Sequence, residues 1–185
     1  VPLSIDTYKP QVMQAVLDLG ADIINDIWAL RQSGVDDSHD AMQVVASHPN
    51  CGVCLMHMHG EPRTMQLSPM QGDVVEQVQQ FFGRRVRALR QLGVAADRIV
   101  IDPGIGFGKT AAQNFALLAR QQALLELGYP LLAGWSRKSS LAAVCGTSLG
   151  SVATLDAKGR LVPSVVAALL AVQRGASIVR VHDVA

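Results

Sequence analysis

One pattern recurs along the 185-residue chain and restricts the folds open to it: a short apolar run, a polar side chain, a loop and a helical stretch. The apolar runs predict strands at residues 2–6, 22–25, 52–56, 98–102, 131–134 and 177–181. The stretches between them predict helices at residues 10–19, 73–92, 111–127 and 163–173, each followed closely by a glycine that ends it. Strands that are apolar on both faces and alternate with helices indicate a parallel sheet covered by helices.

The residues at the strand ends distinguish between the two folds that are built on a parallel sheet. At or just after these ends stand Asp6, Asn25, Met56, Asp102, Ser136, Arg137, Lys138, Arg180 and His182. A doubly wound sheet concentrates its chemistry at one switch point, whereas a barrel brings all of its strand ends to one rim. The pattern therefore favours a TIM (β/α)₈ barrel. About six of the eight units are visible, so we expect a single domain over residues 1–185 that lacks N-terminal units and the last helix.

Composition excludes some partners. The formal net charge is only +1, which argues against a nucleic acid or an anionic membrane surface. Three cysteines do not make a disulfide framework. We interpret Cys51 and Cys54 as buried thiols of a cytoplasmic protein, because residues three apart on a strand face opposite sides.

The segment IDPGIGFGKT, residues 101–110, resembles a phosphate-binding loop but does not fit one. A P-loop needs a glycine five positions before Gly108, where this chain has Pro103, which has no amide proton to donate. The dinucleotide pattern would need a glycine at Lys109. What remains is a strand that ends in Asp102 and a loop rich in glycine.

The strand ends together suggest one site. Asp6, Asp102 and Asn25 can satisfy the donor groups of a flat heterocycle, while the cationic residues suit a phosphate-bearing group. Those cationic residues are Lys138, Arg180 and His182. An aspartate after a strand often caps the next helix, but six polar residues gathered at five strand ends favour a shared pocket.

At this point the sequence resembles a known family. The motifs SIDTYKP (4–10), INDI (24–27), CLMHMHGEPRTMQ (54–66), DPGIGFGKT (102–110), GWSRKS (134–139) and VRVHDV (179–184) resemble those of dihydropteroate synthases, in the same order. The resemblance implies a (β/α)₈ barrel that joins 6-hydroxymethyl-7,8-dihydropterin pyrophosphate to p-aminobenzoate in folate synthesis. It also implies Mg²⁺ as a cofactor and a homodimer. The family's metal-binding asparagine lies on a strand not seen here, so the metal ligands stay unknown.

The resemblance assigns roles residue by residue. Asp6, Asn25, Asp102 and Lys138 would contact the pterin, Ser136 would face p-aminobenzoate, and Arg180 and His182 would meet the pyrophosphate. Met56 and Phe107 would form apolar walls. Asp6, Lys138, Arg180 and His182 would act in the reaction itself. No nucleophilic side chain is required, because the amine attacks the pterin methylene directly and the protein has only to stabilise charge.

Three alternatives remain open. A pterin-binding methyltransferase barrel would share the acids and the asparagine, and an inactive pterin-binding fragment would share them without turnover. A zinc hydrolase would use His57 and His59, with His182 and Asp102 as further ligands.

Overall fold

The computed structural model describes residues 1–33, 40–61, 70–148 and 155–184. Its strands are β1 (Ser4–Asp6), β2 (Ile23–Asp26), β3 (Gly52–Met56), β4 (Ile99–Asp102), β5 (Leu132–Ala133) and β6 (Ile178–Val179). Its helices are α1 (Pro10–Asp18), α2 (Ala41–Ser47), α3 (Val74–Gln91), α4 (Ala111–Ala119), α5 (Gln122–Leu125), α6 (Ser139–Ser148) and α7 (Leu161–Gln173). All six predicted strands are therefore present, most of them shorter than predicted.

The strands are parallel and stand side by side in chain order. β1, β2, β3 and β4 pair in succession, and β5 pairs with β6. A single bridge between Ile101 and Leu131 joins β4 to the start of β5. A doubly wound sheet reverses its strand order at the switch point, whereas the wall of a barrel keeps chain order. The described strands thus form an arc of barrel wall, which confirms the predicted fold class.

The core lies between this arc and the helices that cover it. On α3 the buried residues Val74, Val78, Phe82, Val86 and Leu89 recur every three or four positions, as the sequence predicts. The helix begins at Asp73, whose carboxylate accepts the backbone N–H groups of residues 75 and 76. No helix within the described ranges is both long and apolar enough to cross a bilayer.

Two helices were not predicted and one was predicted too long. α2 starts at its cap Asp40, between the strands predicted at residues 22–25 and 52–56, and α6 follows the GWSRKS motif. The predicted helix 111–127 divides into α4 and α5. At the break the buried side chain of Gln121 donates to the carbonyls of Ala171 and Arg174 at the end of α7. The break therefore places a side-chain donor against the carbonyls at the end of α7.

Candidate active site

The carboxyl ends of the first four strands place polar side chains at two levels of one face of the arc. Strand register sets Asp6 opposite Asn25 and Met56 opposite Asp102. Because residues paired across neighbouring strands point to the same face, Asp6, Asn25 and Cys54 lie on one face of the arc. This face lines a cavity of about 520 Å³ to which Arg180, beyond β6, also contributes.

Arg180 connects the end of β2 to the end of β4 through two hydrogen bonds. Its Nη2 donates to Asp102 Oδ2 at 2.6 Å, and its Nη1 donates to Asn25 Oδ1 at 3.3 Å. Asp102 is completely buried, and its other oxygen accepts the N–H of Gly104 at 2.8 Å. Burial opposes the charge of Arg180, but the Asp102 carboxylate outweighs that effect and raises the pKa of Arg180. A Cβ at Gly134 would lie 2.9 Å from Nη2, so a glycine there makes room for the guanidinium.

Lys138 lies over an aromatic ring beside this cluster. Its Nζ is 4.5 Å from the centroid of the Phe107 ring, a cation–π distance. Burial lowers the pKa of Lys138, and the charge of Asp102 acts in the opposite direction. Lys138 and Asp102 therefore share one electrostatic environment.

Ser136 and His182 form a third contact at the same end of the barrel. Ser136 Oγ accepts the backbone N–H of His182 at 3.2 Å and lies 2.9 Å from Nδ1 of that ring. Next to them, the side chains of Arg137 and Asp183 form an ion pair. Arg137 has a left-handed backbone, with φ of 58°. These contacts tie the segment after β5 to the segment after β6.

The structure thus links most of the predicted site residues by direct contacts, and three of them, Asp6, Asn25 and Arg180, line the cavity. Met56 is buried beside Gly104 and, like Asp102, Phe107, Ser136, Lys138 and His182, is not part of the cavity wall. A role for it as an apolar wall stays a prediction.

Sequence reasoning missed two polar residues beneath the site. Lys109 is 4% exposed and Asn114 is completely buried, and both hydrogen-bond to the loop between β4 and α4. Lys109 resembled the lysine of a P-loop. A signal for Asn114 was present, because it falls on the apolar stripe of α4 that Leu117 and Leu118 continue.

The histidine pair gives the zinc alternative no support. His57 is buried, its ring packs edge-on against Phe81 at 4.8 Å, and its Nδ1 has no hydrogen-bond partner. Burial lowers the pKa of His57 to about 2, so its ring is neutral. Within the described ranges, no three His, Cys, Asp or Glu side chains lie together in a way that could hold a metal ion.

Comparison with known proteins finds consistent similarities. The model of the family described as "Pterin binding enzyme" matches residues 1–182. The dihydropteroate synthase of Neisseria meningitidis serogroup C is 44% identical over 186 residues, which cover all of this chain and 61% of that protein. The chain therefore spans about three fifths of the length of such a relative.

Solved structures agree with the sequence comparison. The dihydropteroate synthase of Stenotrophomonas maltophilia has a TM-score of 0.87 and 49% identity, covering all of this chain and 64% of that one. The Burkholderia cenocepacia enzyme complexed with 7,8-dihydropteroate has a TM-score of 0.85 and 52% identity. The match covers 100% of this chain and 63% of that one.

Proposed function

The chain belongs to the family of pterin-binding enzymes, and from this premise we propose that it acts in dihydropteroate synthesis. The reaction joins 6-hydroxymethyl-7,8-dihydropterin pyrophosphate to p-aminobenzoate. One observation carries the proposal: Arg180 meets Asn25 and Asp102 directly, although they lie 155 and 78 residues away along the chain. The similarity to an enzyme complexed with 7,8-dihydropteroate, a pterin joined to p-aminobenzoate, supports the same reaction.

The side chains suit the two ends of the pterin substrate. Asp102, Asn25 and Asp6 offer oxygen acceptors to the N–H groups of the ring. Lys138 and Phe107 stand beside the ring position, and Arg180 and His182 offer donors to the diphosphate. Ser136, which contacts His182, faces the p-aminobenzoate in this arrangement.

The reaction needs positioning and charge stabilisation. The amine nitrogen of p-aminobenzoate attacks the pterin methylene carbon, forming the C–N bond as the C–O bond to diphosphate breaks. The amine then loses a proton, and pyrophosphate leaves with the bonding electron pair. Asp6 and Asp102 favour the electron-poor pterin of the transition state, while Arg180 and His182 stabilise negative charge on the leaving group.

Magnesium stays a prediction of the family resemblance. Mg²⁺ prefers oxygen ligands, and within the described ranges no three His, Cys, Asp or Glu side chains lie together in a way that could hold a metal ion. The described residues thus offer no set of ligands that fits the ion, and we assign it no step.

A homodimer and a cytoplasmic location are further proposals from the resemblance. Exposed apolar side chains on α7, among them Val162, Val165 and Leu169, are compatible with a subunit interface. Light scattering on the eluted protein would measure the mass of the assembly, and a monomeric mass would contradict the dimer.

The activity test measures pyrophosphate release from the pterin substrate with and without p-aminobenzoate. We expect release that depends on p-aminobenzoate and a dihydropteroate product seen by mass spectrometry. Asp102→Asn should lower kcat/KM by roughly 100-fold or more, because the ring loses a charged acceptor and Arg180 loses its counterion. Asp97→Asn, at the exposed opposite end of β4, is the matched control. A protein that binds the pterin but releases no pyrophosphate would contradict the proposal.

A further inference from the structure

The loop between β4 and α4, residues 103–108, touches two of the proposed substrate-binding residues and contains a third. The N–H of Gly104 binds the carboxylate of Asp102. At Gly106, a Cβ would lie 3.3 Å from Cδ of Lys138, so the backbone passes directly under that side chain. Phe107 supplies the ring beneath its ammonium group. The position of this loop therefore sets the arrangement of Asp102, Phe107 and Lys138.

The loop also fits closely against the end of β3. Gly104 and Gly108 have φ values of 65° and 69°, and Cβ atoms there would lie 1.9 Å and 2.4 Å from the carbonyl oxygens of His57 and His59. Such contacts are impossible for any residue but glycine. Glycines allow this approach but do not hold it, because they add conformational freedom to the unfolded loop.

Lys109 fixes this loop through hydrogen bonds from its buried side chain. Its Nζ donates to three backbone carbonyl oxygens: His57 at 3.2 Å, Gly104 at 3.0 Å and Phe107 at 3.1 Å. An ammonium group has three N–H donors, and here each has an acceptor. One side chain thereby connects the residue after β3 to two points of the loop.

Asn114 ties the same loop to the segment after β5. Its Oδ1 accepts the N–H of Gly106 at 3.0 Å, and its Nδ2 donates to Ser140 Oγ at 2.8 Å. Ser140 stands two residues after Lys138 and is itself buried. Asn114 therefore sets the distance between the loop and the segment that carries Lys138.

Burying Lys109 and Asn114 costs free energy unless their polar atoms are hydrogen-bonded. Burial lowers the pKa of Lys109 to about 7, with the charge of Asp102 opposing the shift. A position that served only to fill space would favour an apolar side chain here, because buried polar groups stabilise a fold only when they are hydrogen-bonded.

We propose that Lys109 and Asn114 are positioning residues that hold the loop 103–108, so that Asp102, Phe107 and Lys138 meet the pterin ring in one fixed arrangement. The proposal rests on the proposed function and adds to it the residues that set the shape of the ring pocket. The motif that resembles a P-loop then has a different use, because its lysine binds backbone carbonyls of its own chain.

The first experiment uses Lys109→Met in the intact protein. We expect hydrogen exchange of the Gly104 and Gly106 amides to quicken by about tenfold or more, as the loss of hydrogen bonds to a charged group implies. The KM for the pterin substrate should rise by a similar factor. If Lys109 served stability alone, the variant would contain less folded protein. The apparent kcat would then fall, and the KM of the remaining folded protein would stay unchanged. Lys158→Met, at an exposed lysine, is the matched control and should behave as wild type.

Two variants that remove different numbers of hydrogen bonds test Asn114. They also test the proposal if Lys109→Met does not fold. Asn114→Leu removes both bonds, and Ser140→Ala removes one while leaving the bond to Gly106. We expect faster exchange at Gly106 in Asn114→Leu and a smaller change in Ser140→Ala. Asn50→Leu, at an exposed asparagine, is the control. Unchanged exchange and KM in a folded Asn114→Leu or Lys109→Met would overturn the proposal.

The exchange measurement needs no substrate. If wild type shows no release of pyrophosphate dependent on p-aminobenzoate, the proposed function fails while the exchange still decides whether these residues hold the loop. If exchange quickens but KM does not change, the loop is held for stability alone and the positioning role is wrong.

Discussion

Arg180 contacts two of the three side chains that the proposed function gives to the N–H groups of the pterin ring. Its guanidinium holds Asp102 at 2.6 Å and Asn25 at 3.3 Å. Donors on the ring and donors on the guanidinium therefore compete for the same oxygens. Arg180 also neutralises a completely buried carboxylate, which would be unfavourable without a cation nearby.

This competition predicts an unequal effect of Arg180→Ala. Turnover should fall by roughly 100-fold, because the leaving diphosphate loses a charged donor. Binding of 6-hydroxymethyl-7,8-dihydropterin, which has no diphosphate, should stay unchanged or tighten as Asp102 and Asn25 are freed. Steady-state kinetics and calorimetric titration measure the two quantities. Arg174→Ala, at the exposed residue that ends α7, is the control.

An unchanged turnover number in Arg180→Ala would remove this residue from the stabilisation of the leaving group. A large loss of pterin affinity would show that the guanidinium contacts the ring itself.

At this scale the sequence predicted the residues at strand ends, because strand direction alone sends those side chains to one rim. It showed Asn114 on the apolar stripe of α4, but it could not predict the partners of Lys109 or Asn114. Their partners are mainly backbone atoms of a loop whose path depends on contacts with the end of β3. No periodicity in the sequence records such a contact.

The turn that follows β2 is the most strained element of the rim. Ala29 and Leu30 have φ values of 52° and 58°, a backbone region that costs about 1–2 kcal/mol for each residue other than glycine. The buried carboxylate of Asp26 accepts the N–H groups of Trp28 at 2.7 Å and Leu30 at 2.8 Å. From α3, Arg85 donates Nε and Nη2 to the carbonyls of Ala29 and Leu30, each at 2.8 Å.

Arg85→Met should therefore destabilise the fold by roughly 2–3 kcal/mol, because two hydrogen bonds from a charged group are lost and two carbonyls lose their partner. Urea unfolding followed by circular dichroism measures the change. Arg87→Met, an exposed neighbour on the same helix, should change stability little. Equal stability of the two variants would mean that Asp26 alone holds the turn.

Helices whose apolar residues recur at a clear helical spacing were predictable from the sequence, and helices without such a spacing were not. α3 shows its apolar stripe in the sequence, and its bounds differ from the prediction by one residue at each end. α2 is only seven residues long and α6 is rich in small residues, so neither offers a strong period. The division between α4 and α5 depends on the contact of Gln121 with α7, which is distant in sequence.

At the scale of the whole molecule, the balance of buried titratable groups sets the response to acid. Burial raises the pKa of Asp26 to about 6 and lowers that of His57 to about 2, from ordinary values of 3.8 and 6.5. Below pH 6, folded Asp26 binds a proton that the unfolded chain does not, and this stabilises the fold until about pH 3.8. His57 acts in the opposite direction from pH 6.5 downward, because only the unfolded chain binds its proton.

A variant of His57 separates these opposing effects. In wild type, His57 should lower the free energy of unfolding by about 1.4 kcal/mol for each pH unit below 6.5. His57→Phe keeps an aromatic ring against Phe81 and has no nitrogen to protonate. The stability of the variant relative to wild type should thus grow by about 2 kcal/mol between pH 7 and pH 5. Met58→Leu, a buried neighbour that does not titrate, should keep the wild-type pH dependence. Parallel curves for His57→Phe and wild type would mean that folded His57 takes up its proton as readily as the unfolded chain does.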